Sequence, residues 1–161
     1  MIQARKFLVV FALVTATGSI GAHAATTGSI TISGTVAQQT SIDVNPLTGY
    51  NALDLGTSQT DLAVAEVVEK NNTNLGYKVT LTSQNAGKLK NGTLGQVSYT
   101  AKYGSSSVNL STTPQQITSG AVASSPVNVT KQFKVSYSGV DTSTMMQGTY
   151  SDTLTFTISS P

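Results

Sequence analysis

Side chains able to carry acid–base, nucleophilic or metal chemistry are few in this chain. Its 161 residues include no cysteine and one histidine, His23, so thiol nucleophiles, thiolate zinc sites and disulfides are excluded. Asp141 and Asp152 could be considered as a pair of acids, but no histidine accompanies them and no second acid stands at a close fixed spacing. We therefore predict exposed or strand-end roles for both aspartates, and no enzymatic activity.

A second acidic set is equally unpromising as a metal centre. Asp54, Asp61, Glu66 and Glu69 lack the ligand spacing of a calcium-binding loop. We expect these four side chains to lie on solvated faces. The sequence therefore predicts no metal site and no cofactor.

The first residues have the features of a cleavable export signal. Arg5 and Lys6 precede an apolar run over residues 7–14, and Ala22-His23-Ala24 has the small-x-small pattern of a signal-peptidase site. The apolar run is shorter than the roughly 20 residues that span a bilayer, which disfavours the alternative of a membrane anchor. We predict a signal peptide over residues 1–24 and a mature chain over residues 25–161.

Cleavage of the leader changes the charge of the protein. Two of the nine basic residues, Arg5 and Lys6, lie in the leader, which leaves seven lysines against seven acidic residues. No basic stripe remains on the mature chain, so we expect no nucleic-acid partner.

The composition and the apolar pattern predict β-structure. Serine and threonine make up 45 residues, and valine, isoleucine, threonine and tyrosine alternate in the way that suits pleated sheets. For residues 61–70, where a helix is the alternative, we favour a strand with a bulge because the apolar residues are largely β-branched. The remaining strand candidates are residues 30–44, 77–82, 97–103, 108–110, 127–137 and 150–158.

Finer expectations follow from the same pattern. We predict a loop at residues 114–125 and a slip in the strand near Thr130 and Lys131. Met145 and Met146 are expected to fill irregular space beside the last strand. Most of the tyrosines share phase with apolar neighbours and should pack inward, the alternative being an exposed glycan-binding platform.

The spacing of the strands predicts the architecture. Short strands separated by turns every 8–12 residues or so, without alternating helices, indicate an antiparallel sandwich or barrel. We predict an all-β fold, specifically an immunoglobulin-like antiparallel β-sandwich.

Three motifs carry a resemblance to known proteins. GSITISGTV, which begins at Gly28, resembles the start of chaperone-usher pilins. GTYSDTLTFTI, which begins at Gly148, resembles the ending of pilins and of spore coat protein U-like secreted proteins of archaic chaperone-usher systems. NLGYKVTLTS, which begins at Asn74, is similar to the middle of the second group.

The resemblance implies a mechanism of assembly and a set of site residues. Subunits of these families are sandwiches that lack their last strand. A periplasmic chaperone fills the gap first, and the N-terminal extension of a neighbouring subunit replaces it at the outer-membrane usher. Here the resemblance implies a donor-strand extension over residues 25–34, a pilin-like domain over residues 35–161, and the following assignment: donor residues Gly28, Ile30 and Ile32, and a C-terminal groove-edge strand with Tyr150, Leu154, Phe156 and Ile158.

The function implied is that of a structural subunit of a surface fimbria, with neighbouring copies of the chain as partners and a role in adhesion or biofilm formation. Two alternatives remain open. Residues 28–36 could be the first strand of the domain itself. The protein could instead be a monomeric secreted binding module, an adhesin or glycan binder, that uses the loops at residues 45–51 or 114–125.

Overall fold

The computed structural model describes residues 26–118 and 125–160. The predicted signal peptide, residues 1–24, lies outside the described residues. Among the residues that are described, no helix has the length and hydropathy needed to cross a bilayer. The chain divides into two units, Met1–Thr35 and Val36–Pro161.

The regular secondary structure described for the second unit is almost entirely β-strand, which confirms the predicted all-β class. A single turn of 3-10 helix, Thr142–Thr144, is capped by the Asp141 side chain. The strands in chain order are β1 Thr40–Pro46, β2 Gln59–Asn71, β3 Lys78–Ser83, β4 Lys88–Lys90, β5 Gln96–Ser98, β6 Thr100–Tyr103, β7 Ser106–Val108, β8 Gln115–Thr118, β9 Val127–Tyr137 and β10 Leu154–Ser159.

The strands form three sheets in which neighbours run antiparallel. The first has five strands in the order β1-β2-β9-β6-β7, the second has three in the order β10-β3-β8, and β4 pairs with β5 in the third. Strands β1 and β10 therefore each lie at an edge of their sheet. Strands β7 and β8 lie at the opposite edges of the two sheets, and an unpaired edge is where a further strand can be added.

The two larger sheets share one apolar core. The Phe156 ring of β10 makes an edge-on contact with Phe133 of β9, with 5.3 Å between centroids, and a tilted contact with Tyr103 of β6 at 6.0 Å. Val67 of β2 and Leu81 of β3 are fully buried beside them. Each large apolar side chain buried in this way contributes roughly 1.5 to 3 kcal/mol to stability.

The strand predicted at residues 61–70 is confirmed, including its irregularity. Strand β2 shifts register against β9 between Gln59 and Leu62 and again between Ala63 and Ala65. Asp61 has a φ of 51° at this point, and its backbone N–H donates to Ser136 Oγ at 2.9 Å. Apolar and polar residues of β2 do not alternate regularly across residues 59–65, and the bulge compensates for this by turning the apolar residues that follow it back toward the core.

The slip predicted near Thr130 and Lys131 is wrong. These residues pair in continuous register with Val68 and Val67 of β2. Lys131 occupies an inward position, where the pattern would place an apolar residue, because it donates to the buried carboxylate of Glu69. In the sequence, this one inward-facing lysine breaks the alternation of apolar and polar residues in the same way as a slip of the strand by one residue would.

The strand predicted at residues 97–103 is divided between two sheets. Residues of β5 pair with β4, whereas β6 pairs with β9 and forms a hairpin with β7. The four residues assigned to its inner face are all buried, namely Val97, Tyr99, Ala101 and Tyr103. The predicted face is therefore confirmed, although the strand is not continuous.

Two predictions about irregular segments need correction. Residues 115–118, expected in a loop, form β8, because the backbone of β3 offers a free side and Ile117 packs against the core. Residues 119–124 of that predicted loop lie outside the described residues. Met145 is partly buried, but Met146 is 57% exposed and so does not fill space beside the last strand as predicted.

Residues 28–36 do not form a strand, so the alternative that they are the first strand of the domain is wrong. The strand predicted over residues 30–44 begins only at Thr40. In the first unit, the described residues 26–35 have no regular secondary structure and are exposed.

Candidate functional site

Among the described residues, each of the two larger sheets has two outer strands with a free edge, β1 and β7 in the first sheet and β10 and β8 in the second; the edges of β1 and β10 lie close to each other. Strand β1 bonds to β2 on one side only, and β10 bonds to β3 on one side only. Cα atoms of β1 and β10 approach within 8 Å of each other. Because an unpaired edge is a template for another strand, these two edges are the candidate site.

An apolar cavity of about 280 Å³ lies beside these edges. We call it the groove. Strand β1 contributes Val44 and Pro46, and β10 contributes Leu154 and Phe156. The other lining residues come from the core, the adjoining loops and β4: Tyr50, Leu53, Val64, Ala65, Leu89, Tyr99, Phe133, Val135, Tyr137, Asp152 and Thr153.

The side chains of β10 are arranged as the edge of an open core. Leu154, Phe156 and Ile158 alternate with the exposed Thr155 and Thr157. These three apolar residues are only partly buried, whereas Val79 and Leu81 on the neighbouring strand β3 are fully buried. The incomplete burial marks the side on which the described residues supply no cover.

The groove brings together two of the residues predicted for the edge strand, Leu154 and Phe156. Ile158 lies on the same face of β10 but does not line the cavity. Tyr150 lies outside the strand, so the predicted start of the last strand is wrong by four residues. Its hydroxyl donates to the Met146 carbonyl at 2.9 Å, and its ring covers Gly95, where a Cβ would come within 2.8 Å of the hydroxyl oxygen.

Asp152 explains why the chain is not in the strand before Leu154. Its carboxylate accepts from the hydroxyls of Ser83 at 2.6 Å and Tyr99 at 2.7 Å, and from the backbone N–H of Asn85 at 2.9 Å. Burial, and then the bond to Asp152, raise the pKa of Tyr99 above its ordinary value. The segment that leads into β10 is thus fixed to the turn after β3, in the strand-end role predicted for Asp152.

The predicted donor residues belong to the first unit and the groove to the second. Ile30 is 86% exposed and Ile32 is 88% exposed. A Cβ added at Gly28 would meet no atom within 4 Å. Two large apolar side chains in an exposed segment without secondary structure are available to another molecule.

A buried polar cluster around Glu69 was missed by the sequence analysis. The carboxylate of Glu69 is fully buried. It accepts hydrogen bonds from the Tyr77 hydroxyl at 2.7 Å, the Thr118 hydroxyl at 3.1 Å, Lys131 Nζ at 3.1 Å, and the Tyr103 hydroxyl. The expectation of a solvated Glu69 is therefore wrong, because these partners replace the water that the carboxylate loses.

The electrostatics of this cluster favour the ionised form of Glu69. Burial raises the pKa of Glu69, but the hydrogen bonds from Tyr103, Tyr77 and Lys131 outweigh it, so the pKa lies below its ordinary value. Burial and the bonds to Glu69 raise the pKa values of Tyr77 and Tyr103. The sequence does contain a signal for this cluster. Glu69 and Lys131 stand at the alternate positions of β2 and β9 that mostly carry apolar, inward-facing side chains.

Within residues 26–118 and 125–160, no group of three or more His, Cys, Asp or Glu side chains is placed to hold a metal ion. Every buried side-chain nitrogen and oxygen there has a hydrogen-bond partner. The sequence matches no protein-family model and no curated protein. The groove and the exposed extension are the two features of the described residues that point to binding of another chain.

Proposed function

We propose that this chain is a structural subunit of a surface fibre assembled by donor-strand exchange through a chaperone-usher pathway. In this proposal the second unit is an immunoglobulin-like β-sandwich that lacks its last strand. Residues 25–34 of a neighbouring copy supply that strand. The observation that supports the proposal is the presence, in one chain, of an open apolar groove and an exposed segment with alternating apolar residues.

Strand addition accounts for both features. The free edge of β10 offers backbone donors and acceptors to an extended peptide, and alternate side chains of that peptide can enter the groove. Ile30 and Ile32 lie on the same face of such a peptide, with Gly28 two residues earlier. Full burial of both isoleucines would contribute roughly 3 to 6 kcal/mol, and each backbone hydrogen bond about 0.5 to 1.5 kcal/mol.

The composition of the extension suits an apolar groove. Residues 26–35 contain no charged side chain, so binding them requires no charge to leave water. The one acidic residue that lines the groove, Asp152, already accepts three hydrogen bonds from its own chain. Binding of the extension in the groove would therefore leave no charged group without a partner.

The open groove also gives a reason for a chaperone. A free edge beside exposed apolar side chains promotes aggregation, so the subunit needs cover between export and assembly. In the proposal a periplasmic chaperone provides this cover, an outer-membrane usher exchanges it for the next subunit, and the fibre forms at the cell surface.

Substitution of the donor residues tests the proposal. Ile30→Asp or Ile32→Asp should abolish polymer formation, because an aspartate would have to enter an apolar groove. Thr31→Asp is the matched control, since residue 31 lies on the opposite face of an extended segment and should leave assembly largely intact. The measurement is electrophoresis of material sheared from the producing cells, with and without boiling.

A ladder that collapses to one band on boiling is the expected result for the natural sequence and for Thr31→Asp. Normal ladders from both isoleucine variants would contradict the assignment of the donor residues. A single monomer band from the natural sequence, with a folded circular dichroism spectrum, would contradict the fibre and favour a self-complete secreted binding module.

A further inference from the structure

The backbone of residues 37–39, immediately before β1, is held by a single residue. The Asn72 side chain donates from Nδ2 to the Ala37 carbonyl at 2.9 Å and accepts at Oδ1 from the Gln39 N–H at 2.6 Å. The backbone N–H of Asn72 donates to the Gln39 carbonyl at 3.0 Å. We call these three hydrogen bonds the Asn72 clamp.

The clamp continues the sheet past the point where the backbone of β2 ends. The ladder between β1 and β2 closes with Thr40 opposite Asn71. Beyond it, the carboxamide of Asn72 offers the same donor and acceptor as a peptide group. The neighbouring Asn71 has a different role. It is 2% exposed, and its Oδ1 accepts hydrogen bonds from the hydroxyls of Thr40 and Thr73.

We propose that Asn72 is a positioning residue that presents the N-terminal extension to a second copy of the chain. It does so by preventing the extension from folding back into the groove of its own subunit. This inference rests on the proposed function, because it concerns the choice between the chain's own groove and a neighbour's groove.

Strand register shows why the clamp has this effect. With residues 37–39 held against the end of β2, a three-residue turn must lie at residues 34–36 or earlier. An antiparallel hairpin with that turn places Ile30 opposite Thr40 and Ile32 opposite Gln38. The groove is lined on β1 by Val44 and Pro46, so Ile30 stops four residues short, about 13 Å at 3.3 Å per residue.

Release of the clamp moves this register by six residues, about 20 Å. Residues 37–39 could then form the three-residue turn themselves. That hairpin places Ile32 opposite Val44 and Ile30 opposite Pro46, with both isoleucines on the face of β1 that lines the groove. A subunit closed in this way could neither accept nor donate a strand.

A pair of introduced cysteines measures how often the extension folds back onto β1 of its own chain. The released hairpin places Thr31 opposite Asn45, and opposite residues in antiparallel strands have the Cα spacing that a disulfide requires. Thr31 and Asn45 are exposed and neither is a donor or groove residue. Because the chain has no cysteine of its own, every disulfide of the Thr31→Cys/Asn45→Cys protein involves these two positions only, and a disulfide within one chain is separated from one between chains by its migration as a monomer.

The mature double-cysteine protein would be oxidised in four backgrounds: natural, Asn72→Ala, Asn72→Asp and Asn74→Ala. We expect the intramolecular disulfide, seen as a fast monomer band without reductant, to rise at least threefold in Asn72→Ala. Asn72→Asp should be intermediate, since it keeps the acceptor for Gln39 and loses the donor to Ala37. Asn74→Ala, at an exposed position of the same loop, should match the natural background.

Thermal unfolding of each variant separates positioning from folding, since a merely structural role would lower the unfolding temperature without raising the disulfide yield. If the natural chain forms polymer ladders but the disulfide yields are equal in all four backgrounds, the role of Asn72 is wrong while the fibre proposal stands. If the natural chain forms no ladder, the fibre proposal and this inference fail together.

Discussion

At the scale of single residues, Glu69 gives the fold a connection between its two larger sheets. Its partners come from β6 and β9 of the first sheet, from β8 of the second, and from Tyr77 just before β3. Lys131 Nζ also lies 5.0 Å from the centroid of the Tyr103 ring. In a chain without cysteine, this cluster joins the sheets where small exported domains often use a disulfide.

The stability of the folded protein should depend on pH through this cluster. The folded-state pKa of Glu69 is lowered from 4.5, so its contribution is present above about pH 4.5 and is lost as the pH falls further. The pKa values of Tyr77 and Tyr103 are raised from 10.0, so their contribution is present below pH 10 and is lost at higher pH. Urea unfolding midpoints measured from pH 3 to pH 11 should therefore fall at both ends.

Glu69→Gln should lower the free energy of unfolding by about 3 kcal/mol at pH 7, because it removes the charge that Lys131 faces and leaves hydroxyl donors with a poorer acceptor. The acid limb of the pH profile should become shallower in this variant. Glu66→Gln, on the same strand, serves as the control and should cost less than about 0.5 kcal/mol. Equal losses of unfolding free energy in the two variants would show that the buried cluster contributes no more to stability than an ordinary glutamate of β2.

At the scale of elements, β10 depends on Asp152 for its starting point. Asp152→Ala would leave the hydroxyls of Ser83 and Tyr99 without their acceptor, so we expect a loss of about 2 to 4 kcal/mol. Hydrogen exchange at the amides of β10 should increase more than that of β9. Asp43→Ala, which removes only an exposed ion pair with Lys70, should cost less than about 1 kcal/mol.

The elements also show what the sequence could and could not predict. Alternation located β2, β3, β6 and β9, because each buries one face. It misread Lys131, since a charged residue at an inward position has the same pattern as a slip. It missed β8 because Gln115–Thr118 is mostly polar, and backbone pairing with β3 rather than burial makes it a strand.

The candidate site was predicted less completely than the fold. Leu154 and Phe156 were placed at the edge by a local motif, and the structure puts both in the groove. Tyr150 was misassigned because the motif runs on without showing that Asp152 interrupts the strand. The Asn72 clamp involves residues more than 30 positions apart, and no local pattern reveals such a pair.

At the scale of the whole molecule, a free groove implies that stability should depend on what occupies it. A synthetic peptide of residues 26–36 should raise the unfolding temperature of mature Ile30→Asp protein, whose own extension is disabled. At a peptide concentration of about 100 times the dissociation constant, the gain would be about 2.7 kcal/mol. The same peptide with aspartate in place of Ile30 is the control, and an equal shift with both peptides would contradict a specific groove.

The ladder between β1 and β2 has a consequence for how the molecule would carry mechanical load. It pairs seven residues of β1 in register, from Thr40 to Pro46, and the groove lies at the Pro46 end. Tension applied along the strand at Thr40 and resisted at the groove would act parallel to β1. The hydrogen bonds of the ladder would then bear the force together in shear rather than open one after another, so the strand that directly follows residues 26–39 would also be the one that resists rupture.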